Sequence, residues 1–424
     1  MRKILIITYA FPPAPFVGVF RTLKYCKYLP EFGWRPIVIA PKVDLKRFFY
    51  DNSLLKQIHP EVKVYLTRDI DPAKWFINND QGFVLKMLAK IKNVLCKYIC
   101  IPDSHVFWTP ICLFRAIKII RSEGVDLLYS TSPPHSSHLV PYILHKIFAI
   151  KYVVDFRDPW ADKAYFKFNK RNRLFSWFEK KLRDIVIRNS SKIITITNGE
   201  CRELAEQFPE NIRDKITFIE NGYDPDDFHS ITKTIKKIKD KFTITYTGTL
   251  YDGTADEFFE GIKIFLEEHD DFCNNLRIIL IGGIGPAARK KISDLGLDNI
   301  VTCLKFQPHE VALQYMLNSD LLLILLGGDL FPSSEIPAKT FEYLYALKPI
   351  LAITKHGDLS DLLIKSGLGV VVRPNDPTLV AQAISDILDA NNNSTLKFTP
   401  NIEFINKYER RNLSKRLVSH LNKL

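Results

Sequence analysis

Short apolar runs alternate with longer amphipathic segments along most of this chain. The runs are rich in Ile, Leu and Val, which is typical of strands buried on both faces of a parallel sheet. The segments between them, such as Phe20–Leu29 and His138–Phe148, repeat apolar residues at helical spacing. The alternation predicts βαβ units and therefore an α/β fold.

The alternation occurs twice, which predicts two doubly wound, Rossmann-like domains. The first series of predicted strands is Lys3–Thr8, Pro36–Ala40, Val62–Thr67, Leu127–Ser130, Tyr152–Phe156, Lys192–Thr197 and Lys215–Glu220. The second is Phe242–Thr247, Leu276–Ile281, Val301–Phe306, Leu321–Leu325, Ile350–Ala352 and Gly369–Val372. A polar, Lys-rich stretch separates them. We therefore expect domains at 1–228 and 242–401, a linker at 229–241, and a helical end, 402–424, that can pack back on the first domain.

The composition is that of a globular protein, with 46% hydrophobic and 25% charged residues among 424. The apolar run after Lys3 ends at Tyr9, which predicts a buried strand rather than a signal peptide. No apolar stretch approaches the roughly 18 residues that a membrane-spanning helix needs. The seven cysteines are scattered without metal-ligand spacing, so we expect a reducing compartment and no metal site.

The positive charge is concentrated in the first half of the chain. Residues 1–230 contain 36 Lys and Arg against 24 Asp and Glu, whereas residues 231–424 contain 23 of each. A basic half indicates an anionic partner, such as a lipid phosphate or a membrane surface. The basic amphipathic stretch Val84–Ile99 either lies on a bilayer or covers a core. No nucleic-acid motif is present, so nucleic acid is not an expected partner.

Ligands of doubly wound sheets bind beyond the carboxyl ends of the strands, and one segment there stands out. Pro337 suits the first turn of a helix, and Lys339 and Glu342 then share one face of it. The helix start and Lys339 would hold a pyrophosphate, and Glu342 would accept hydrogen bonds from ribose hydroxyls. A surface helix carrying salt bridges among Glu335, Lys339 and Glu342 explains the same spacing, and the two interpretations stay open.

Several segments together resemble glycosyltransferase family 4. The match is strongest from Pro337 to Leu344 and continues at Lys348-Pro349-Ile350. Further matching segments are Tyr9–Pro13 with Gly18 and Arg21, Tyr28–Trp34, Ser132–His138, Asp155–Trp160, Ile219–Asp224 and Tyr246–Leu250.

The resemblance implies a GT-B architecture, with two domains facing a central cleft, and a retaining glycosyltransferase that uses a nucleoside-diphosphate sugar. It implies no metal and no other cofactor. The acceptor would be an anionic or lipid-linked glycan or a growing surface polysaccharide. Lys339 matches the phosphate-binding lysine of the family and Glu342 its ribose-contacting glutamate. The sugar-contacting glutamate falls at Ser334, which leaves Glu335 as a candidate substitute. Because Tyr251–Thr254 offers no cation, Arg21 or Lys339 would carry more of the diphosphate contact.

The other candidate site residues follow predicted strands. Expected donor-binding residues are Gly18, Arg21, Gly248, Gly283, Lys339, Thr340 and Glu342. Expected catalytic residues are His138, His135, Asp158 and Glu335, and Asp155 and Arg157 are expected on the acceptor side. Structural roles stay open as alternatives for these residues. Gly18 can be an ordinary turn glycine, and His138 can cap or begin a helix. Arg157 can form an ion pair with Asp155 or Asp158.

Three functions remain open at this point. The first is sugar transfer, the second is a nucleotide-sugar epimerase or hydrolase of the same fold, and the third is a degenerate sugar-binding protein. A basic first half favours transfer to an anionic acceptor. The expected location is the cytoplasm, with peripheral contact to the inner face of the membrane as an open alternative.

Overall fold

The chain forms two compact units in the computed structural model. The structure describes residues 1–14, 17–42, 52–70, 100–161, 173–229, 231, 241–269, 272–327, 331–393 and 398–424. The first unit consists of Met1–Glu220 and Leu413–Leu424, and the second of Asn221–Asn412. The amphipathic stretch Val84–Ile99, Cys96 and most of the predicted linker lie outside the described residues.

The first unit contains a seven-stranded sheet whose paired strands are all parallel. Its strands are β1 (Arg2–Ile7), β2 (Trp34–Pro41), β3 (Lys63–Thr67), β4 (Leu127–Ser132), β5 (Tyr152–Phe156), β6 (Lys192–Thr195) and β7 (Ile216–Phe218). Their order is β3-β2-β1-β4-β5-β6-β7. Successive β1 residues enter different core clusters, with Ile4 and Ile6 in one and Leu5 and Ile7 in the other. Both faces of this sheet are therefore buried, as its apolar runs predict.

The second unit repeats this plan with a parallel sheet of six strands. Its strands are β8 (Phe242–Thr247), β9 (Leu276–Ile281), β10 (Val301–Leu304), β11 (Leu321–Leu325), β12 (Ile350–Ile353) and β13 (Gly369–Val372). Their order is β10-β9-β8-β11-β12-β13. The side chains of β11 alternate between two core clusters, with Leu323 in one and Ile324 in the other. The predicted α/β fold class is confirmed for both units.

Helices connect the strands of each unit. Those of the first unit are α1 (Gly18–Tyr28), α2 (Thr109–Glu123), α3 (Leu139–Phe148), α4 (Arg173–Asn189), α5 (Asn198–Ala205) and α6 (Glu210–Arg213). Those that follow are α7 (Pro225–His229), α8 (Asp256–Glu268), α9 (Pro286–Asp294), α10 (His309–Asn318), α11 (Lys339–Ala346), α12 (Asp358–Ser366), α13 (Pro377–Asn393), α14 (Ile402–Asn406) and α15 (Arg410–Leu421). Within the described part of the chain, no helix combines the length and apolar character needed to cross a membrane.

The chain passes between the units twice. Beyond Glu220 it belongs to the second unit, eight residues before the expected boundary at 228, because Tyr223 bridges to Glu409 and accepts a backbone hydrogen bond from Arg410. It returns at Leu413 within α15, whose residues Leu413, Leu417, Val418 and Leu421 enter a core cluster of the first unit.

Candidate functional site

Each sheet changes winding direction at one pair of neighbouring strands. In the first unit the change falls between β1 and β4, and in the second between β8 and β11. The loops that follow such a pair diverge and leave a crevice at the carboxyl edge of the sheet, where doubly wound proteins bind ligands. The candidate residues of the second unit follow β8, β9 and β11, and those of the first unit belong to β5 or follow β1, β4 or β5.

The Lys339 side chain lies at the switch point of the second unit. It stands at the start of α11, and its Nζ atom donates a hydrogen bond of 2.8 Å to the carbonyl of Thr247, the last residue of β8. The ammonium also lies 3.3 Å from the centroid of the Tyr246 ring. Burial lowers the pKa of Lys339 well below its usual value. One carbonyl and one ring face leave ammonium hydrogens available to a phosphate oxygen.

Glycines line the backbone beside this lysine. A side chain at Gly248 would place its Cβ 3.8 Å from the Lys339 Nζ atom, and the φ angle of Gly248 is +121°. At Gly282, where φ is +130°, a Cβ would lie 2.3 Å from the Gly248 carbonyl oxygen. At Gly283 a Cβ would lie 3.5 Å from the Thr249 side chain, an ordinary contact distance. Because two of these backbones require glycine, the carboxyl ends of β8 and β9 stay open to a close-lying ligand.

The Glu342 carboxylate faces a residue that the sequence analysis does not name. Its Oε1 atom lies 2.7 Å from Nε2 of His309, at the start of α10. The salt bridge between Glu342 and Lys339, one of the two interpretations left open by the sequence, is not formed, and Lys339 is directed to β8. A ribose hydroxyl at Glu342 would compete with His309 for the same oxygen. The two residues are 33 positions apart in sequence, so spacing alone gives no signal for the contact.

Buried hydroxyls lie on either side of Lys339. The side chains of Ser334 and Thr340 are 3% and 0% exposed, and neither hydroxyl has a hydrogen-bond partner. Glu335 is half-buried, and its backbone N–H donates to the carbonyl of Pro332. Pro337 lies before α11 and not in its first turn, because the N-cap of the helix is Ala338 and its first residue is Lys339.

In the first unit, His138 lies in the turn after β4. It is fully buried, and its Nδ1 atom lies 2.7 Å from the Ser130 hydroxyl. The opposite ring nitrogen, Nε2, is buried without a hydrogen-bond partner. The ring packs edge-on against Phe156 at 4.8 Å. Burial, together with the neighbouring His135, lowers the pKa of His138, so the neutral ring is the stable form at neutral pH.

His135 stacks on Trp160. The ring centroids are 5.1 Å apart and the planes are nearly parallel, at 3°. Burial lowers the pKa of His135 to about 4. The turn that carries both histidines is held by Asp103, whose carboxylate accepts hydrogen bonds from the Ser136 amide at 2.9 Å and hydroxyl at 2.7 Å. Asp103 is not among the site residues expected from the sequence, although an Asp before a short helical turn is a recognisable capping signal.

Arg21 and Asp155 form a buried ion pair with each other. Two hydrogen bonds of 2.7 and 2.9 Å join them, and both residues are at most 1% exposed. Tyr129 donates a further hydrogen bond of 2.5 Å to Asp155, and Arg21 donates one of 2.9 Å to the Glu220 carbonyl. Burial opposes the charge of Arg21, but Asp155 and the nearby tyrosines more than offset it, so the pKa of Arg21 is raised. The structure thus joins a residue expected on the donor side to one expected on the acceptor side, and their roles toward ligands stay predictions.

Gly18 and Arg157 also belong together. The Arg157 guanidinium donates to the carbonyls of Ser132 and Pro133 at 2.8 and 3.0 Å. A Cβ at Gly18 would lie 1.4 Å from Nη1 of this group. Gly18 therefore makes room for Arg157, which supports the loop after β4 and forms neither of the two ion pairs considered as alternatives. The neighbouring Asp158 is exposed.

A cavity of about 20 Å³ lies beside Trp160, bordered by Arg183, Glu200 and Thr195 among others. It holds about one water molecule. Arg183 is 1% exposed and donates to the carbonyl of Trp160 and to Gln207. Nothing in the sequence pattern marks this cavity, because its walls come from α4, β6 and α5 and the loop after β5.

The family model described as Glycosyltransferase Family 4 matches residues 20–227. This match falls almost entirely on the first unit and agrees with the motif resemblance to the family. The two doubly wound sheets have the GT-B architecture that the resemblance predicts. No curated protein matches the chain.

Solved structures share the fold at low identity. A sucrose-phosphate synthase from Thermosynechococcus elongatus is 13% identical, with a TM-score of 0.66 over 100% of this chain and 99% of its own. A glycosyltransferase from Rickettsia africae is 16% identical, with a TM-score of 0.64 over 99% and 97%. HepE from Anabaena, solved in complex with UDP-glucose, is 15% identical, with a TM-score of 0.64 over 100% of both chains.

Proposed function

We propose that this protein transfers a sugar from a nucleoside-diphosphate sugar, most simply a UDP-sugar, to a glycan acceptor. The observation that carries the proposal is the half-buried Lys339 ammonium at the switch point of the second unit, hydrogen-bonded to the carboxyl end of β8. The Glycosyltransferase Family 4 match supports the reaction class. The complex of HepE with UDP-glucose supports uracil as the first base to test.

In this proposal Lys339 and the start of α11 bind the diphosphate. An anionic phosphate beside the ammonium would favour the charged form of Lys339 that burial disfavours. The positive end of the α11 helix dipole lies at the same place and adds to the attraction of the anion. As the bond to the sugar breaks, negative charge grows on the departing phosphate, and these groups stabilise it. Glu342 would exchange its contact with His309 for a ribose hydroxyl.

The finer parts of the proposal rest on the motif resemblance and on charge. We propose retention of anomeric configuration, no metal requirement and an acceptor that is lipid-linked or a growing surface polysaccharide. The surplus of 36 basic over 24 acidic residues in positions 1–230 supports an anionic acceptor and peripheral contact with the cytoplasmic face of a membrane. His138, His135, Asp158 and Glu335 stay predictions as catalytic residues.

One observation favours a second candidate, a sugar-nucleotide-binding protein without catalysis. Ser334 occupies the position where the family resemblance expects the sugar-contacting glutamate. It is buried, and its hydroxyl has no hydrogen-bond partner, so it does not supply a carboxylate to a sugar. Glu335 is the nearest carboxylate in sequence. Both candidates predict nucleotide binding, but only the glycosyltransferase predicts turnover of the sugar nucleotide.

The test combines ligand-induced stabilisation with turnover. The full-length protein, Lys339→Met and the control Lys365→Met, an exposed lysine on α12, are heated with millimolar UDP, GDP, ADP, CMP and UDP-sugars. We expect UDP to raise the melting temperature of wild type and K365M and to leave K339M unchanged. Equal stabilisation of K339M, or no response of wild type to any nucleotide, would overturn the proposed donor site.

Turnover separates the candidates. Release of UDP from a stabilising UDP-sugar is measured with and without a membrane extract as the acceptor source. Release that requires the extract supports transfer. Binding without release supports the non-catalytic candidate, and release of free sugar without an acceptor indicates a hydrolase.

A further inference from the structure

Helix α4 presents two different faces. Glu179, Arg183, Val186 and Ile187 are buried on one side. The apolar residues Leu174, Trp177, Phe178 and Ile185 remain 57%, 52%, 48% and 40% exposed. Their spacings of three, four and seven residues place these four side chains along one side of the helix, opposite the buried residues. We call this surface the α4 apolar face.

Two aromatic rings form the centre of the α4 apolar face. Trp177 and Phe178 lie 4.9 Å apart in an edge-on arrangement. The Lys181 ammonium lies 5.4 Å from the Trp177 ring centroid and caps the pair from the next turn. Isolated apolar residues are common on protein surfaces, whereas a contiguous set that contains Trp and Phe marks an interaction surface.

The charged residues around this face are positive. Arg173, Lys180, Lys181 and Arg188 are exposed. The two acidic residues of the helix do not balance them, because Glu179 is fully buried and Asp184 pairs with Arg183 at 2.8 Å. The exposed side of α4 is thus apolar at its centre and cationic around it, which calls for a partner that is apolar inside and anionic outside.

We propose that the α4 apolar face binds the surface of an anionic lipid bilayer, with Trp177 and Phe178 at the level of the headgroups. Trp and Phe are favoured at that depth, and Lys and Arg on the same helix attract acidic headgroups. A second copy of this chain is a poorer fit, because two cationic faces would repel each other. The inference extends the membrane part of the proposed function, and its test measures lipid binding alone.

The experiment is vesicle co-sedimentation of the full-length protein. Wild type is compared with Trp177→Ser/Phe178→Ser, with Lys180→Gln/Lys181→Gln, and with the control Ile364→Ser, which removes a 62% exposed apolar residue from the second unit. We expect wild type and I364S to sediment with phosphatidylglycerol vesicles and not with phosphatidylcholine vesicles. Both α4 variants should bind about tenfold more weakly, because each loses one of the two attractive contributions. Melting curves establish that every variant is folded.

Tryptophan fluorescence reports where the helix lies. Trp34, Trp108 and Trp160, the other tryptophans in the described part of the chain, are at most 3% exposed, so lipids carrying bromine on the acyl chains should quench Trp177 and leave these three unquenched. Quenching that is lost in Trp177→Phe supports the proposal.

Equal vesicle binding by W177S/F178S, or binding without quenching, overturns it. Concentration-dependent dimers that W177S/F178S abolishes, without any vesicle binding, would assign the face to a second copy and also overturn it. Lipid binding should be unchanged in K339M, because Lys339 lies in α11 and not in α4. The lipid-binding result is therefore independent of the result for the donor site.

Discussion

The buried polar side chains of the first unit have matched partners at most positions, and several exceptions lie at the end of β4 and in the turn after it. Around His138, the hydroxyls of Thr131, Ser132 and Ser137 are also buried without hydrogen-bond partners. A buried polar atom without a partner costs free energy. Several so close together in sequence therefore indicate a surface shaped for a polar ligand rather than for the stability of the free protein.

His135 gives this region a predicted pH dependence. Its pKa is about 4 in the folded protein and 6.5 ordinarily, so between these values the unfolded chain binds the proton and the folded protein does not. Stability should therefore fall as the pH drops from about 6.5 to about 4, by about 3 kcal/mol. His135→Phe keeps the ring stack on Trp160 without a titrating group and should show a smaller loss.

Urea denaturation of wild type and H135F at pH 7, 6, 5 and 4 measures this difference. The control is His356→Gln, whose side chain is 87% exposed and should leave the wild-type profile unchanged. Parallel pH profiles for wild type and H135F would contradict a neutral, buried His135.

Sequence reasoning at the residue scale succeeds where a contact is local or where a motif marks a position. Lys339 and Gly248 are singled out this way, and the structure brings them together, since a Cβ at Gly248 would lie 3.8 Å from the Lys339 Nζ atom. The sequence pattern does not indicate the Arg21–Asp155 pair, whose partners are 134 residues apart, because that pairing depends on the strand order. Alternation of apolar runs predicts strands without saying which strands are neighbours.

At the scale of elements, buried parallel strands are the most predictable part of the chain. Strands β5, β8, β9, β11 and β13 have the expected bounds. In β9 and β11 the reason is that a strand covered on both faces is a continuous apolar run. Helix starts are less predictable. The helix at Lys339 begins after Pro337 because the Thr340 amide donates to the Pro337 carbonyl in a tight turn that precedes it.

The turn that follows β9 provides a prediction about the close approach of its backbone to the backbone of Gly248. Gly282→Ala would place a methyl group 2.3 Å from the Gly248 carbonyl oxygen at a φ of +130°. We expect a loss of about 3 kcal/mol, since backbone strain and a steric clash combine. UDP binding should weaken as well, because Gly248 borders Lys339.

Gly296→Ala is the matched control for this substitution. Gly296 also has a positive φ, +69°, but nothing lies within 4 Å of its Cβ position, so only strain of about 1 kcal/mol is expected. Urea denaturation of both variants gives the comparison. Equal losses would mean that the turn shifts to accept the methyl group.

At the scale of the whole molecule, α15 completes the core of the first unit. Leu417 is 1% exposed and belongs to the cluster that contains Ile4 and Ile6. Leu417→Ala should cost about 2 to 5 kcal/mol through lost burial and the remaining cavity. Hydrogen exchange should accelerate in β1 and β2 and stay unchanged in β11.

The control for this prediction is Leu379→Ala, which shortens a 41% exposed leucine on α13. An exposed position should change stability by about 0.5 kcal/mol or less. If L417A accelerated hydrogen exchange in both sheets to the same extent, or in neither, α15 would not stabilise the first unit specifically, and the prediction would be wrong.

The twofold passage of the chain between units has a consequence for synthesis. The second unit is one continuous segment, Asn221–Asn412, whereas the first consists of Met1–Glu220 together with Leu413–Leu424. A ribosome releases the chain from its amino terminus, so the first sheet emerges early but waits for Leu413–Leu424 before its core is closed. The unit that begins first is therefore completed only after the whole of the second unit has been synthesised.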